Sequence, residues 1–407
     1  MGEVAEVEIA RLGAQGDGVA ETPRGPSFVP FALPGERWRV EGTATTRLTE
    51  SPERRAAICR HFGLCGGCVA QHMSERLENE WKRDIVVEAF RHRGIAADVA
   101  PVRRVAPHSR RRAFLGVERR GTDVIIGFRE EGQHKLVDLE ECPVLDPAIV
   151  AAVDRLREMA RIAMPEGQGG RLVVTRLDRG LDVSFDNGLK ALEPAARAEL
   201  AALALGANLI RLIVAGELIV ISGTPAITIG GVAVEPAPGA FLQAVPEAEA
   251  MLIEHALAAL PRKAKKIADL FSGTGTFTFA LARRAAVTAF DGDKRAIGAL
   301  SAAVKHAQGL KPIEARVRDL FREPLSVREL DAFDVVVLDP PRAGAAAQAE
   351  RLAKSKVPVV IAVSCNPATL ARDSRTLVDG GYALGPVTPI DQFLFSPHVE
   401  AVTVLSR

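Results

Sequence analysis

The chain has 407 residues and almost no excess charge of either sign: 52 lysines and arginines face 51 acids, for a formal net charge of +1. Overall charge therefore cannot attract nucleic acid, and any surface that does so has to be a local patch. Long hydrophobic runs are missing as well. The most apolar stretch, 200–221, is interrupted by Asn208, Arg211 and Glu217, which bars it from a bilayer as a lipid-facing helix. The start, Met1-Gly2-Glu3-Val4-Ala5-Glu6, carries two acids and no basic end before an apolar run, so no signal peptide is expected. A cytoplasmic protein with no membrane partner and no obligate protein partner is the expectation. Internal repeats and low-complexity runs are absent too. Cysteine is scarce, with five in the chain. In a reducing compartment such thiols read as metal ligands or catalytic groups before they read as disulfides.

What is present is an ordinary globular composition, 47% hydrophobic and 25% charged, with length for two or three packed domains. One local basic patch exists. Between Arg103 and Arg120 lie seven arginines (103, 104, 110, 111, 112, 119 and 120) against a single acid, Glu118. That density attracts phosphate, although a solvated strand face has the same look.

Three rhythms divide the chain. Over 1–48, short β-like runs at 7–12 and 28–31 are broken by Gly13, Gly16, Gly18 and Pro34-Gly35, which predicts a small antiparallel barrel. Gly16-Asp17-Gly18-Val19-Ala20, Phe28-Val29-Pro30 and Leu33-Pro34-Gly35-Glu36 resemble the TRAM domain, an OB-like RNA-binding barrel. The segment 49–235 carries four cysteines, the arginine patch and strand-like runs at 123–128, 171–175, 181–185 and 209–213, and reads as a central α+β domain. Over 236–407, apolar strands at 267–271, 287–290, 335–338 and 357–363 alternate with helical lengths. Strands apolar on both faces and separated by helices predict a doubly wound parallel sheet, so the whole is a multidomain α/β protein.

Asp269-Leu270-Phe271-Ser272-Gly273-Thr274-Gly275 follows the first of these strands and opens a helix near Phe279. Glycines there let backbone approach a ligand closely where strand turns to helix. Asp291, 22 residues beyond Asp269, ends the next strand, where a carboxylate can accept hydrogen bonds from ribose hydroxyls. The third glycine of a dinucleotide fingerprint is replaced by Thr278, which favours a phosphate-free ligand such as S-adenosylmethionine over NAD. Asp319 follows the third strand and can reach an adenine amine, or is a plain surface acid.

Two further motifs carry chemistry. Asp339-Pro340-Pro341-Arg342 ends an apolar strand with a carboxylate at the crevice edge, held by two rigid prolines. Amino-methylating enzymes often place an aromatic where Arg342 stands, which argues against N-methylation. Cytosine-C5 enzymes acting on RNA commonly carry a cysteine in this loop, and none is present before Cys365. Cys365 follows the next apolar strand within Ser364-Cys365-Asn366-Pro367, at a strand end where ligands bind in open α/β sheets. A buried core thiol is the bland alternative. Glu400, in His398-Val399-Glu400, precedes a final strand over 401–405 and by itself reads as solvent-exposed.

Together, Asp-Leu-Phe-Ser-Gly, Asp-Pro-Pro-Arg, Ser-Cys-Asn-Pro and His-Val-Glu, in this order, resemble the uridine-C5 RNA methyltransferase family over nearly the whole chain. The resemblance implies a class I, Rossmann-like methyltransferase sheet. It also implies that Cys365 attacks C6 of uracil, that Glu400 removes the C5 proton, and that Gln243, Phe271, Asp291 and Asp339 line the S-adenosylmethionine site. Two positions depart from the family: Asp291 stands where glutamate is usual, and Val245 where asparagine often follows the motif glutamine. The chemistry accounts for the residue types. Uracil C5 is a poor nucleophile, and thiolate addition at C6 creates an enolate with electron density at C5. A positioned carboxylate then takes the C5 proton so that the thiol can leave. The base has to be flipped to admit both groups.

Cys59, Cys65 and Cys68 have five and two residues between them, and Cys142 comes later. Four thiolates can close a zinc site or a 4Fe–4S cluster, and spacing leaves both open. Cys65-Gly66-Gly67-Cys68 followed by Gln71-His72 resembles the iron–sulfur subset of the family, which implies a cluster on Cys59, Cys65, Cys68 and Cys142. Cluster and barrel together resemble the enzymes of 23S ribosomal RNA, with transfer RNA as the alternative substrate. Two other classes compete. A non-catalytic RNA-binding or cluster-assembly factor is disfavoured by intact Cys365, Glu400 and cofactor motifs. Radical methylthiolation needs a three-cysteine motif with one open iron, and a fourth cysteine is available here.

Overall fold

The computed structural model describes residues 4–407, so the part of the signal-peptide expectation that rests on Met1, Gly2 and Glu3 lies outside the described residues. At the N-terminal end, six strands are β1 (Val4–Glu8), β2 (Arg11–Leu12), β3 (Gly18–Thr22), β4 (Gly25–Val29), β5 (Arg37–Glu41) and β6 (Ala44–Arg47). They form two three-stranded antiparallel sheets, β1-β5-β6 and β2-β3-β4. The strand expected over 7–12 is split, because the chain passes from one sheet to the other at Ile9: the Ile9 amide bonds Glu36 and the Ala10 amide bonds Val19. Ile9 turns inward with Ala20, Val29, Ala32 and Trp38 to make the shared core. Glu36 locks this unit to the chain that follows. Burial opposes its ionisation, but Arg54, the Leu33 and Ser51 amides and the Trp38 indole together hold its carboxyl down at about 2.

Next come α1 (Glu75–Arg91) and β7 (Arg103–Arg104). Ser74 caps α1 by accepting from the Leu77 amide, and Glu78, Trp81, Lys82, Val86 and Phe90 recur at helical spacing on its buried side. The central sheet is built from β8 (Arg112–Arg120), β9 (Asp123–Arg129), β10 (Leu136–Asp138), β11 (Gly169–Arg176), β12 (Leu181–Phe185), β13 (Leu209–Val214) and β14 (Glu217–Ile221). Its order is β10-β9-β8-β11-β12-β13-β14. Between these strands run α2 (Pro147–Ala151), α3 (Val153–Ala163) and α4 (Pro194–Gly206), and their apolar sides close one face of the sheet. A hairpin of β15 (Ile227–Ile229) and β16 (Val232–Val234) leads into α5 (Pro246–Ala258).

The remaining elements alternate strand and helix. They are β17 (Lys266–Leu270), α6 (Thr278–Ala282), β18 (Ala286–Asp291), α7 (Lys294–Val304), β19 (Ile313–Val317), α8 (Val327–Leu330) and β20 (Val335–Leu338). Then follow α9 (Ala346–Ala353), β21 (Val359–Ser364), α10 (Pro367–Asp379), β22 (Ala383–Asp391) and β23 (Glu400–Ser406). The sheet order is β19-β18-β17-β20-β21-β23-β22-β7, parallel from β19 to β21. Successive residues of β20 serve opposite faces: Val335 and Val337 pack with α5, and Val336 and Leu338 with α9 and α10. Strand β23 runs antiparallel to β21 and β22, so the expected parallel sheet is mixed at one side.

Two parts of the segment 49–235 join this last sheet. Val86 and Phe90 of α1 pack into the α9 and α10 face, and β7 pairs with β22. The β15-β16 hairpin packs against Phe279 and α7. The reason is burial: the sheet face left open beside α10 needs a helix, and α1 supplies it.

The loop 391–399 is fastened from several directions. Lys82 Nζ, fully buried, donates to Asp391 Oδ1 at 2.5 Å and to the Phe393 carbonyl at 3.0 Å. Glu78 accepts from the Phe395 amide at 2.7 Å and from Arg104 at 2.8 Å. The Phe395 carbonyl in turn accepts from the amides of Val69 and Ala70, next to Cys68. Removing one partner of such a buried ion network leaves uncompensated charge. Lys82→Met is expected to lower unfolding stability by about 3 kcal/mol or more, measured by urea denaturation; a loss near zero would mean the network holds nothing.

Candidate active site

Strand order puts the motif residues at one end of the sheet. Asp339 follows β20, Cys365 follows β21, and Glu400 opens β23. Because β23 is antiparallel to β21, with Ser364 opposite Ala401, the start of β23 lies at the C-terminal end of β21, and Glu400 comes beside Cys365. Asn366 caps α10 by accepting from the Ala368 amide and donates to the Arg342 carbonyl, which ties the cysteine turn to the Asp-Pro-Pro-Arg turn. Cys365, Arg342 and His398 line a cleft of about 1250 Å³ whose other wall includes Trp81 and Ile85 of α1.

A hydrogen-bonded chain of four side chains runs under this end. Gln243 Nε2 donates to Asp339 Oδ2 at 3.0 Å, Gln392 Nε2 donates to Gln243 Oε1 at 3.0 Å, and Gln392 Nε2 also donates to Glu400 Oε2 at 2.8 Å. Gln243, Gln392 and Glu400 are buried. Gln243, expected on the cofactor, is thus engaged at both ends of its amide. Gln392 escaped the sequence reading; its signal is a lone amide between Asp391 and Phe393, after an apolar strand. Expectations of a solvent-facing Glu400 fail because pairing of β23 between β21 and β22 draws it inside.

Burial sets the protonation states here. It raises Glu400 to about 7, against which the Gln392 hydrogen bond works. Asp339 is raised well above its ordinary range by burial and by Glu400. The Cys365 thiol is pushed up to about 11 by burial, with Glu400 and Asp339 adding to the shift and Arg342 opposing it. Such a thiol is mostly neutral at rest, and the nearby cation is what favours its thiolate.

The glycine-bearing turn forms the neighbouring crevice. Phe271 sits at φ 62, a left-handed conformation that costs a non-glycine residue energy, and Gly273 and Gly275 follow at φ 53 and 105. A side chain at Gly275 would meet the Phe279 ring at 2.5 Å, whereas at Gly273 nothing lies within 4 Å on that side. Asp291 holds the turn, accepting from the Gly273 amide at 2.8 Å and the Asp293 amide at 2.8 Å. The Phe271 ring lies 5.3 Å from that of Phe321, which is half exposed. Asp319 is exposed and accepts from the Phe321 amide at 3.0 Å, so its carboxylate orders the loop carrying that ring. The hydroxyls of Ser272 and Thr274 are buried without partners. An open glycine flank beside unpartnered hydroxyls fits a polar ligand such as S-adenosylmethionine.

Cys59, Cys65, Cys68 and Cys142 line one cavity of about 520 Å³, together with Arg110, Phe393 and His398. Burial pushes Cys68 up to about 12, opposed by Gln71 and reinforced by Cys142, Cys65 and Cys59. Among the described residues, no group of three or more His, Cys, Asp or Glu side chains is drawn into metal-holding geometry. The thiols converge without closing a cage. Their chemistry, four soft sulfur donors lining one cavity, fits an iron–sulfur cluster or zinc.

The arginine patch is largely consumed by structure. Arg103, Arg104, Arg111 and Arg120 pair with Glu254, Glu78, Glu249 and Glu118, and Arg119 bonds the carbonyls of Met164 and Gly121. Arg110, Arg112 and Arg119 are the three of the seven that lack a carboxylate partner among the described residues.

A doubly wound sheet with a glycine-bearing turn and carboxylates at its C-terminal end defines a class I methyltransferase, dependent on S-adenosylmethionine. Comparison with known proteins narrows the class. The family model described as tRNA (Uracil-5-)-methyltransferase matches residues 231–407. An uncharacterized RNA methyltransferase of Brucella suis is 45% identical, covering 100% of this chain and 98% of that protein. The 23S rRNA (uracil(1939)-C(5))-methyltransferase of Chromohalobacter salexigens is 35% identical, covering 98% and 89%. The crystal structure of the Pyrococcus abyssi tRNA (uracil-54, C5)-methyltransferase with S-adenosyl-L-homocysteine superposes with a TM-score of 0.77 at 26% identity, covering 98% of this chain and 99% of that one. The chain belongs to the RNA (uracil-5-)-methyltransferase family. Among the described residues, no helix is long and apolar enough to cross a membrane.

Two outcomes are expected from the electrostatics. Glu400 ionises at 4.5 in an ordinary setting and at about 7 here, so the unfolded state releases its proton first and stability falls as pH rises through that window. Glu400→Gln removes this dependence, and its melting temperature is expected to fall less than that of the wild type across the window. The same variant takes a negative charge away from Cys365, so alkylation of that thiol by iodoacetamide, followed by mass spectrometry of its peptide, is expected to proceed faster at neutral pH. Equal alkylation rates would remove Glu400 from the electrostatics of the thiol.

Proposed function

We propose that this chain methylates C5 of a uridine in RNA through a covalent adduct of Cys365, with Glu400 as the base. The observation that carries this reading is the antiparallel pairing of β23 with β21, which sets Glu400 against Cys365 at the cofactor end of the sheet. S-adenosylmethionine supplies the methyl group, and Phe271, Asp291, Asp319, Asp339 and Gln243 are the residues assigned to its site. Cys365 Sγ, as thiolate, bonds to C6, and the C5–C6 electron pair moves to an enolate that makes C5 nucleophilic. Once C5 carries both methyl and hydrogen, Glu400 takes the C5 proton, the C5–C6 double bond returns and the thiolate leaves. Burial suits Glu400 to this step, because a carboxylate ionising near 7 is a stronger base than an exposed one. The chain through Gln392 and Gln243 holds Glu400 in register with Asp339.

The division into 1–48, 49–235 and 236–407 is kept as a functional one, with α1, β7 and the β15-β16 hairpin packed onto the catalytic sheet. The two small N-terminal sheets are read as the OB-like TRAM barrel. Cys59, Cys65, Cys68 and Cys142 are assigned to a 4Fe–4S cluster, supported by their convergence on one cavity. Ribosomal RNA of the large subunit is the favoured substrate, supported by the named 23S relative, and cytoplasm is the expected location. No step of the reaction passes through the cluster.

Cys365→Ala is expected to abolish methylation, and Glu400→Gln to accumulate a covalent protein–RNA adduct visible as a shifted band in denaturing gels; normal turnover by the alanine variant would overturn the mechanism. Mapping 5-methyluridine in ribosomal and transfer RNA from a deletion strain and its complemented control identifies the substrate. Protein purified without oxygen is expected to be brown and to contain iron, whereas a colourless protein containing zinc would refute the cluster assignment.

A further inference from the structure

One side chain takes no part in the bond changes of the proposed reaction and yet holds the base. Gln392 is 1% exposed, and both hydrogens of its side-chain amide are used inside the site: Nε2 donates to Gln243 Oε1 at 3.0 Å and to Glu400 Oε2 at 2.8 Å. Its carbonyl oxygen, Oε1, is buried with no partner among the described residues. A buried acceptor left unpaired costs stability, and a protein keeps one where another requirement outweighs that cost. The neighbours supply the requirement. Reversing the amide would lose two hydrogen bonds and set Oε1 against the oxygens of Gln243 and Glu400, three acceptors with no donor among them. Gln243 cannot turn to relieve this without giving up its own bond, from Nε2 to Asp339 Oδ2 at 3.0 Å.

The backbone at both glutamines is fixed as well. The Gln392 N–H donates to the Ile390 carbonyl at 3.2 Å and the Phe393 N–H to Asp391 Oδ1 at 3.1 Å, while the Gln243 carbonyl accepts from Arg111 at 2.9 Å. Of the two Glu400 oxygens, only Oε2 accepts a hydrogen bond among the described residues, which leaves Oε1 to take a proton. The charged groups around Glu400 come from three directions. Asp339 follows β20, Cys365 follows β21 with Arg342 acting on its thiol, and Asp391 on the β22 side is paired with Lys82 and Arg104. None of these donates to Glu400. Gln392 is its one hydrogen-bond donor among the described residues, and that bond opposes the burial that raises the carboxyl to about 7.

We propose that Gln392 is the positioning residue of the proton-abstraction step: its amide pins Glu400 Oε2, which leaves Oε1 to face C5 of the bound uracil, and its second N–H ties that aim through Gln243 to Asp339. The assignment rests on the covalent reading above and deepens it. In this step the C5–H bond breaks and its electron pair restores the C5–C6 double bond. The C6–S bond breaks toward sulfur, so Cys365 leaves as thiolate, and the proton goes to Glu400 Oε1. Oε2 still accepts from Gln392 afterwards, so the line of amides survives the transfer without rearranging, as a preorganised site requires.

The test is single turnover by the full chain on transcripts of 23S ribosomal and transfer RNA, made with uridine carrying either hydrogen or deuterium at C5. Gln392→Met keeps the length of the side chain and removes both donors; Gln392→Leu serves in its place if the methionine variant does not fold. The variant is expected to bind S-adenosylmethionine and form the Cys365 adduct at wild-type rates, which also shows that it folds, but to resolve the adduct about tenfold more slowly at neutral pH. Glu400 loses a bond that favours its ionised form, so the pH of half-maximal resolution moves up by about one unit, and raising the pH by about two units recovers the rate. Deuterium at C5 slows the variant more than the wild type, because proton removal has become the slow step. Resolution at the wild-type rate, with pH profile and isotope effect unmoved, would overturn the positioning role and leave covalent methylation standing. Equal slowing of adduct formation and resolution, again with the pH profile unmoved, would make Gln392 merely structural and overturn the proposal too. A wild type that methylates RNA without a Cys365 adduct would overturn the mechanism on which the assignment rests.

Discussion

The buried ammonium of Lys82 is the interaction on which the rest of the site depends. It meets Asp391 at 2.5 Å and the Phe393 carbonyl at 3.0 Å, on a loop whose other side is held by Glu78, Arg104 and the backbone of Val69 and Ala70. That loop joins β22 to β23 and carries Gln392 at one end and Glu400 at the other. Charges taken this far from water are held only where geometry satisfies them, so the loop has one well-defined position. The same fastening links three parts of the molecule: α1, the four-cysteine cavity through Val69 and Ala70, and the catalytic sheet.

With the loop fixed, the acids beside Cys365 acquire their character from burial. Burial raises Asp339 and Glu400, with the Glu400 charge adding to the shift at Asp339; Cys365 rises with them, and the Arg342 charge opposes the shift at the thiol. Burial, which favours the neutral acids, and two glutamine amides thus let the acids stand close together. The amides matter because each offers a donor and an acceptor, so Gln243 and Gln392 can pass a hydrogen bond along a line where a carboxylate would add a third like charge.

Much of this was legible in the residues. The parallel strands 267–271, 287–290 and 335–338 show as apolar runs separated by helical lengths, and the turn after Asp269 shows as glycines between them. Cys365 stood out as a thiol at a strand end. Other features could not be read locally. Glu400 has the local look of a surface acid, and Gln392 of a loop amide; both are buried because β23 inserts between β21 and β22. The arginine patch shows the limit from the other side. Composition counts seven cations against one acid, but Glu254, Glu78 and Glu249, distant in sequence, take three of them.

By itself the sequence determined which groups are available and where strands meet turns: Asp339, Cys365, Asp291 and the glycine turn are placed by periodicity, since a strand's end in an α/β sheet is a ligand-facing position. Only the tertiary structure decided which of those groups meet. The antiparallel β23, the α1 helix covering the catalytic sheet from an earlier segment, and the line from Asp339 through Gln243 and Gln392 to Glu400 all join residues far apart in the chain. Contacts of that range depend on which strand lies beside which, and local pattern carries no record of it.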